Sequence, residues 1–234
     1  MDKKKRLLLK ISGEALAGDK KMGVDNTILK RIAEQIKLAV NEGYQIAIVV
    51  GGGNYWRGRS NEMFDNTKSD YIGMLATTMN AICLKSALKE IGVKATVMSS
   101  INLEFTSNYN TDKALELIKD EIIILAGGLG IPCLSTDTTA AIRGSELMVD
   151  YILKGTNVDG IYDSDPRTNL NATKYNRLSY NEAINKKLKI MDISAFEICQ
   201  KNNIKIVVYD ASDINNIVKV CNGEAIGTIV NNYE

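Results

Sequence analysis

The chain has 234 residues, 45% hydrophobic and 24% charged, a balance ordinary for a soluble globular protein and long enough for one large α/β domain or two small ones. Twenty-nine basic against 28 acidic residues leave a formal charge of +1, without the basic excess of a nucleic-acid-binding domain. The absence of histidine excludes serine–histidine and cysteine–histidine dyads and histidine-based metal sites, so any chemistry must use lysine, arginine, carboxylates, backbone amides or a bound cation.

Cys83, Cys133, Cys199 and Cys221 form no C-x-x-C pair and lie in apolar or helical contexts, so they read as reduced core or near-core residues of a cytosolic protein. The basic start, Met1-Asp2-Lys3-Lys4-Lys5-Arg6, is followed by Leu7-Leu8-Leu9, which Lys10 cuts too short for a signal peptide. No segment approaches the ~18 apolar residues of a membrane span. The expectation is a cytoplasmic protein with no membrane or nucleic-acid partner.

Leu7 to Ile11 reads as a buried strand ending in Lys10-Ile11-Ser12-Gly13. A lysine at the end of an apolar strand either meets an anion or lays its stem along the strand and its head in water. Gly18 to Gly23 is an exposed loop. Asp25 or Asn26 caps a helix to Glu42, with Ile28, Ile32, Ile36 and Val40 at helical spacing and Gly43 as its stop. Ile46-Ala47-Ile48-Val49-Val50 is a strand buried on both faces, broken by Gly51-Gly52-Gly53. Glycines there let backbone N–H groups close on an anion, and Arg57 follows with a fork suited to phosphate. The plainer alternative is a tight strand-to-helix turn with a surface arginine. Neither G-x-x-x-x-G-K-[ST] nor a strand-linked G-x-G-x-x-G occurs.

Ser60 to Lys68 reads as a polar, mobile loop. Asp70 fronts a helix running to about Ile91, either as a cap or first-turn acid or as a carboxylate that accepts from a ribose. Val93 to Met98 is a strand, Thr111 to Lys119 a short helix, and Ile122 to Ala126 a strand ending in Gly127-Gly128-Leu129-Gly130-Ile131-Pro132. Ser135-Thr136-Asp137-Thr138-Thr139 then opens a helix to Leu147, a hydroxyl-rich start that suits phosphate. Asp137 is either its cap or a carboxylate organising Lys10 or a cation. Val149 to Leu153 is a fifth strand. The turn-rich Lys154 to Pro166 is either a hairpin or a nucleotide-base loop, with Tyr162 stacking and Asp165 accepting. Ser179-x-x-Glu182 is a capping box, Asp192 precedes a helix to about Asn202, Ile206 to Tyr209 is a strand, Asp213 caps a helix, and Gly227 to Val230 is the last strand. The sum is one α/β unit with a parallel-rich sheet and two sub-lobes.

These motifs, in this order, resemble the amino acid kinase superfamily and within it the bacterial uridylate kinases. The matching residues are Leu8-Leu9-Lys10-Ile11-Ser12-Gly13-Glu14-Ala15-Leu16, Gly51-Gly52-Gly53-Asn54 with Arg57-Gly58, Asp70 with Gly73-Met74-Leu75-Ala76-Thr77, Thr136-Asp137, Thr156-x-Val158-Asp159-Gly160 with Asp165-Pro166, and Ile190-Met191-Asp192 for the family's Val-Met-Asp. The Gly-Met-Leu-Ala-Thr run is the one most specific to uridylate kinases.

The resemblance implies a three-layer α/β/α sandwich with a mainly parallel central sheet, an acceptor lobe over about residues 1–130 and an ATP lobe over about 131–234. It implies ATP-driven conversion of UMP to UDP, with Mg²⁺ on the ATP phosphates and no dedicated protein metal ligands. Lys10, Ile11, Ser12, Gly13, Gly53 and Arg57 would hold phosphates. Thr156, Tyr162 and Asp165 would contact adenosine. Gly52, Asp70 and the run Leu129, Gly130, Ile131, Pro132, Cys133, Leu134, Ser135 and Thr136 would hold UMP. Lys10, Arg57 and Asp137 would be catalytic, with Asp137 orienting the lysine and Asp192 in support. A ring-like homohexamer and inhibition by UTP are further implications. The arginines that help many family members bind GTP are replaced by Thr96 and Glu121, and Tyr71 stands where histidine is common. Two other readings fit the residues: a nucleotide-binding sensor or storage subunit without turnover, and a sibling kinase acting on a carboxylate or carbamate.

Overall fold

Leucine, isoleucine and valine alternate in their facing along each central strand, and both faces are dry. In the computed structural model, which describes residues 5–58, 64–188, 190–213 and 215–233, strand β1 (Arg6–Ile11) buries Leu7 and Leu9 on one face and Leu8 on the other. The same split recurs in β2 (Gln45–Val50) and β5 (Ile122–Ala126). A strand apolar on both faces needs a helical layer on each, and each buried aliphatic side chain contributes about 1.5–3 kcal/mol. One layer holds α1 (Gly13–Ala17), α2 (Asn26–Asn41), α3 (Asn66–Glu90) and α8 (Asn216–Cys221). The other holds α4 (Thr111–Leu117), α5 (Thr136–Glu146), α6 (Tyr180–Asn185) and α7 (Ile193–Lys201).

The remaining strands are β3 (Ala95–Ser99), β4 (Ser107–Asn108), β6 (Tyr151–Thr156), β7 (Ile161–Tyr162), β8 (Lys174–Tyr175), β9 (Arg177–Ser179), β10 (Lys205–Asp210) and β11 (Thr228–Asn231). Nine of the strands form one sheet, in the order β4-β3-β5-β2-β1-β6-β10-β11-β9. Every pairing in it is parallel except β10 with β11. The resemblance's α/β/α sandwich is thus present. The β1–β6 pairing joins strands from either side of residue 130, and it sets Lys10 beside Lys154.

Several boundaries differ from the sequence reading. The 93–98 and 149–153 strands begin later, at Ala95 and Tyr151, because their first apolar residues close the preceding helices. Val93 N–H returns to the Leu88 carbonyl at 2.9 Å, and Val149 N–H to that of Gly144 at 2.9 Å. α3 starts before Asp70, capped by Asp65, whose carboxylate accepts from Lys68 N–H at 2.9 Å. Asp70 is therefore inside the helix and not its cap. Of the 60–68 loop, residues 60–63 lie outside the described residues and 66–68 are helical, and Met1 to Lys4 also lie outside. Asn215, not Asp213, precedes α8, and Asp213 instead accepts from Asn215 N–H and Lys219. Cys133 is exposed, unlike the buried Cys199 and Cys221; it lies in the turn before α5, where its φ is 67. The antiparallel β7–β8 pair makes the 161–175 stretch a hairpin.

Two buried amides lock the glycine triplet to α3. Asn80 Nδ2 donates to the Gly51 carbonyl at 2.7 Å and to Asn54 Oδ1 at 2.7 Å, while Asn54 Nδ2 donates to the Gly23 carbonyl at 2.6 Å. Replacing Asn80 by alanine strands two buried acceptors and should cost about 2–4 kcal/mol. A urea titration reads this as a lower midpoint at unchanged slope.

Candidate functional site

The carboxyl ends of the central parallel strands gather lysines and glycines at one edge of the sheet. Parallel strands bring their carboxyl ends together, and small ligands bind outside that edge. Here the ends of β1, β2, β5 and β6 deliver Lys10, the glycine triplet, the 127–130 glycines and Lys154.

Lys10 is 8% exposed, and its Nζ lies 2.8 Å from Asp137 Oδ1. Lys154 Nζ donates to the other oxygen, Oδ2, at 2.8 Å and also to the Ile190 carbonyl. One carboxylate thus holds two lysines from neighbouring strands. The cap of α5 is Ser135, whose Oγ accepts from Asp137 N–H at 3.1 Å and Thr138 N–H at 3.2 Å. Asp137 is freed from capping to face the lysines. Burial works against the Asp137 charge, but Lys10 and Lys154 overcome it and hold its carboxyl below the usual range. Burial pushes Lys154 down, Asp137 opposes, and the charge of Lys10 adds to the fall. Two ammonium groups thus face one shared carboxylate, with the charge of Asp192 also acting on Lys154, an arrangement suited to an arriving anion.

The two glycine-bearing turns touch. Gly51 N–H donates to the Ile11 carbonyl at 2.7 Å, and a Cβ on Gly13 would stand 2.6 Å from Gly53 N. Only glycine permits this approach of backbone to backbone. Arg57 lies on the same edge as Lys10. Its Nε donates to the Gly53 carbonyl at 3.4 Å, and its Nη2 lies 3.4 Å from Glu14 Oε1. The Glu14 carboxylate fills the space beside Gly53.

Gly52, Gly53, Asp70, Leu134, Ser135 and Thr136 share the wall of a cavity of about 180 Å³ with Thr77 and Gly128. Asp70 Oδ2 accepts from Cys133 N–H at 2.6 Å, which ties α3 to the turn before α5. Leu129, Gly130, Ile131, Pro132 and Cys133 lie in the adjoining loop, off that wall. Thr156, Tyr162 and Asp165 share a second hollow of about 610 Å³ with Lys187, Leu188 and Ile190. Tyr162 donates its hydroxyl to Asp159 at 2.6 Å, and Arg167 grips Asp165 through Nε at 3.0 Å and Nη2 at 2.8 Å. A third hollow of about 680 Å³ places Asp137 with Lys187, Leu188 and Ile190. The third hollow thus shares a wall with the second, and Asp137 directly follows Thr136 of the Asp70 cavity along α5. Asp192 reaches Ser135 Oγ and lies 3.4 Å from Thr138 Oγ1, bracing the start of α5.

Sequence reading passed over Lys154, Asn80 and the pairing role of Glu14. Lys154 repeats the signal of Lys10, a lysine near the carboxyl end of an apolar strand, and could have been found by it. Asn80 is an amide inside a helix and carries no such mark.

The amino acid kinase family pattern matches residues 5–210. A uridylate kinase of Bacteroides thetaiotaomicron is 46% identical over 236 residues, spanning 99% of this chain and 100% of its own length. One from Phocaeicola vulgatus is 45% identical over 97% of this chain and 98% of its own. Among solved structures, a UMP kinase from Bacillus anthracis superposes with a TM-score of 0.95 at 32% identity, covering 98% of this chain and 97% of that one. A UMP kinase from Ureaplasma parvum gives 0.92 at 36% identity, covering 98% and 99%.

Proposed function

The chain belongs to the amino acid kinase family, and from that premise we propose that it transfers a phosphoryl group to UMP, yielding UDP, with ATP as donor and magnesium on the ATP phosphates. The carrying observation is the Lys10–Asp137–Lys154 cluster at the carboxyl ends of β1 and β6, whose Asp137 follows Thr136 of the Asp70 cavity and lines a hollow that shares Lys187, Leu188 and Ile190 with the Thr156–Asp165 hollow.

Phosphoryl transfer asks for positioning and charge neutralisation more than for a strong base, so a chain without histidine can perform it. Lys10 and Lys154 supply the charge, and Asp137 holds their ammonium groups in place. Ile11, Ser12, Gly13 and Gly53 line the phosphate path with small groups and backbone. Arg57 adds a third cation on exchanging Glu14 for phosphate. Asp70 and Gly52, with the loop from Leu129 to Thr136, hold the acceptor, while Thr156, Tyr162 and Asp165 hold adenosine. A phosphate oxygen of UMP attacks as an anion and needs no deprotonation. Both Asp137 oxygens face lysines, a donor set that suits a magnesium ion carried in on phosphates rather than one held by protein carboxylates. Such an ion would neutralise phosphate charge.

The residues before about 130 form the acceptor lobe and those after it the ATP lobe. Tyr71, Leu75, Met79 and Ile82 lie on one face of α3 and are 48%, 50%, 48% and 37% exposed. That stripe supports self-association, with the homohexamer as the assembly. Among the described residues no helix is long and apolar enough to cross a membrane. The reading puts the chain in the cytoplasm, with the nucleotide pool it uses.

An assay of ADP release with UMP, CMP, AMP and glutamate tests the reaction. UMP alone should support turnover. Binding of UMP without ADP release would indicate a sensor, and turnover on glutamate a sibling kinase.

A further inference from the structure

Among the described residues, one charged side chain is buried away from the lysine pair. Arg143, six residues along α5 from Asp137, keeps 9% of its side chain exposed. Its Nη1 donates to Glu146 Oε2 at 2.7 Å, and its Nη2 donates to Ser100 Oγ at 2.9 Å. The guanidinium carbon lies 3.6 Å from the ring centre of Tyr109, whose hydroxyl donates to the same Glu146 oxygen at 2.7 Å. Burial there pushes the Tyr109 hydroxyl up to about 12, so it stays a donor.

Ser100 passes this outward. Its Oγ donates to the Gly128 carbonyl at 2.8 Å, and its N–H donates to that of Ala126 at 3.0 Å. Its own carbonyl oxygen lies 2.7 Å from where a Cβ on Gly130 would stand, and Gly130 has φ 74. From the other side, Gly127 N–H donates to Thr77 Oγ1 at 2.9 Å. The 127–130 loop is therefore clamped between α3 and the Arg143–Ser100 pair, and Gly128 lines the Asp70 cavity.

The direction of the relay is fixed by chemistry. A guanidinium has donors only, so Ser100 Oγ must accept from Arg143 and spend its single hydrogen on Gly128. A hydroxyl that accepts from a cation donates more strongly. The peptide is planar and trans, so holding the Gly128 carbonyl turns the Leu129 N–H away from Ser100. If filling space were the whole task, an apolar side chain would do it without the cost of a buried charge.

We infer that Arg143 is a positioning residue for the nucleoside monophosphate acceptor, acting through Ser100 to set the Gly128–Leu129 peptide plane. This rests on the acceptor reading of the Asp70 cavity. Steady-state kinetics on Ser100→Ala, Ser100→Thr, Arg143→Lys and Asp70→Asn test it. Ser100→Ala and Arg143→Lys should each raise KM for UMP about tenfold, the net worth of one hydrogen bond, with KM for ATP unchanged. Ser100→Thr keeps the hydroxyl and should recover most of the affinity. If Asp70→Asn raises KM for UMP and Ser100→Ala does not, the relay is wrong and the acceptor reading stands. If neither moves it, the acceptor reading itself falls, and the relay with it. An equal rise of both KM values in Ser100→Ala would make the cluster merely structural and overturn the inference.

Discussion

Lys10→Ala lowers kcat by about a thousandfold while KM for UMP changes by less than about threefold, because the lost charge matters most where phosphate charge is redistributed. Lys10 is buried to 8% exposure and has one charged partner, Asp137, in a site too dry for water to substitute for the ammonium. Truncating it leaves Asp137 still paired with Lys154 at 2.8 Å, so the fold loses little and the loss is one of rate. Lys10→Arg should not restore turnover, since a planar fork cannot reproduce the compact ammonium that is buried 2.8 Å from Asp137. Measured kcat and KM for both substrates decide it. A Lys10→Ala protein with unchanged turnover would remove Lys10 from the phosphoryl path.

The sheet was legible because its strands are apolar on both faces and end in glycine. Leu7 to Ile11, Ile46 to Val50 and Ile122 to Ala126 announce themselves by residue type alone. The strands that did not show, β4, β7, β8 and β9, have two or three residues each and exist through their partners rather than through their own pattern. Val93 and Val149 misled for a related reason: an apolar residue closing a helix looks the same in sequence as one opening a strand. At the site, Lys10 was legible as a misplaced charge. The identity of the anion it meets was not, because 127 residues separate it from Asp137 and only the register of β1 on β6 brings α5 above both lysines. Asp70 was read as a possible helix front because Asp65, five residues earlier, competes for the same cap. Its bond to Cys133 N–H spans 63 residues and leaves no local trace.

Asp137→Asn separates activity from stability by pH. The amide keeps the shape, but its nitrogen turns a donor toward an ammonium, and two buried lysines lose their shared counter-charge. Breaking such a pair from one side should cost about 3 kcal/mol at neutral pH. Asp137 is held below the usual carboxyl range, so its contribution is complete above the unfolded carboxylate pKa and is lost only as pH falls through the lower, folded one. The stability gap to wild type is thus full at neutrality. Lys154 is already pushed down by burial and by Lys10, and losing Asp137 pushes it further. A lysine with a lowered folded pKa sheds its proton as pH rises, which relieves the unpaired charge, so the variant's stability deficit narrows toward alkaline pH. Its activity moves the other way. The cation that phosphate needs is the one being lost, so the kcat deficit, about a hundredfold near neutrality, widens as pH rises. Thermal melts and kcat profiles of both proteins over the same pH range measure the two trends. Parallel trends would mean that Asp137 serves packing alone, whereas opposed ones require the lysines to act as charges on the reacting phosphate.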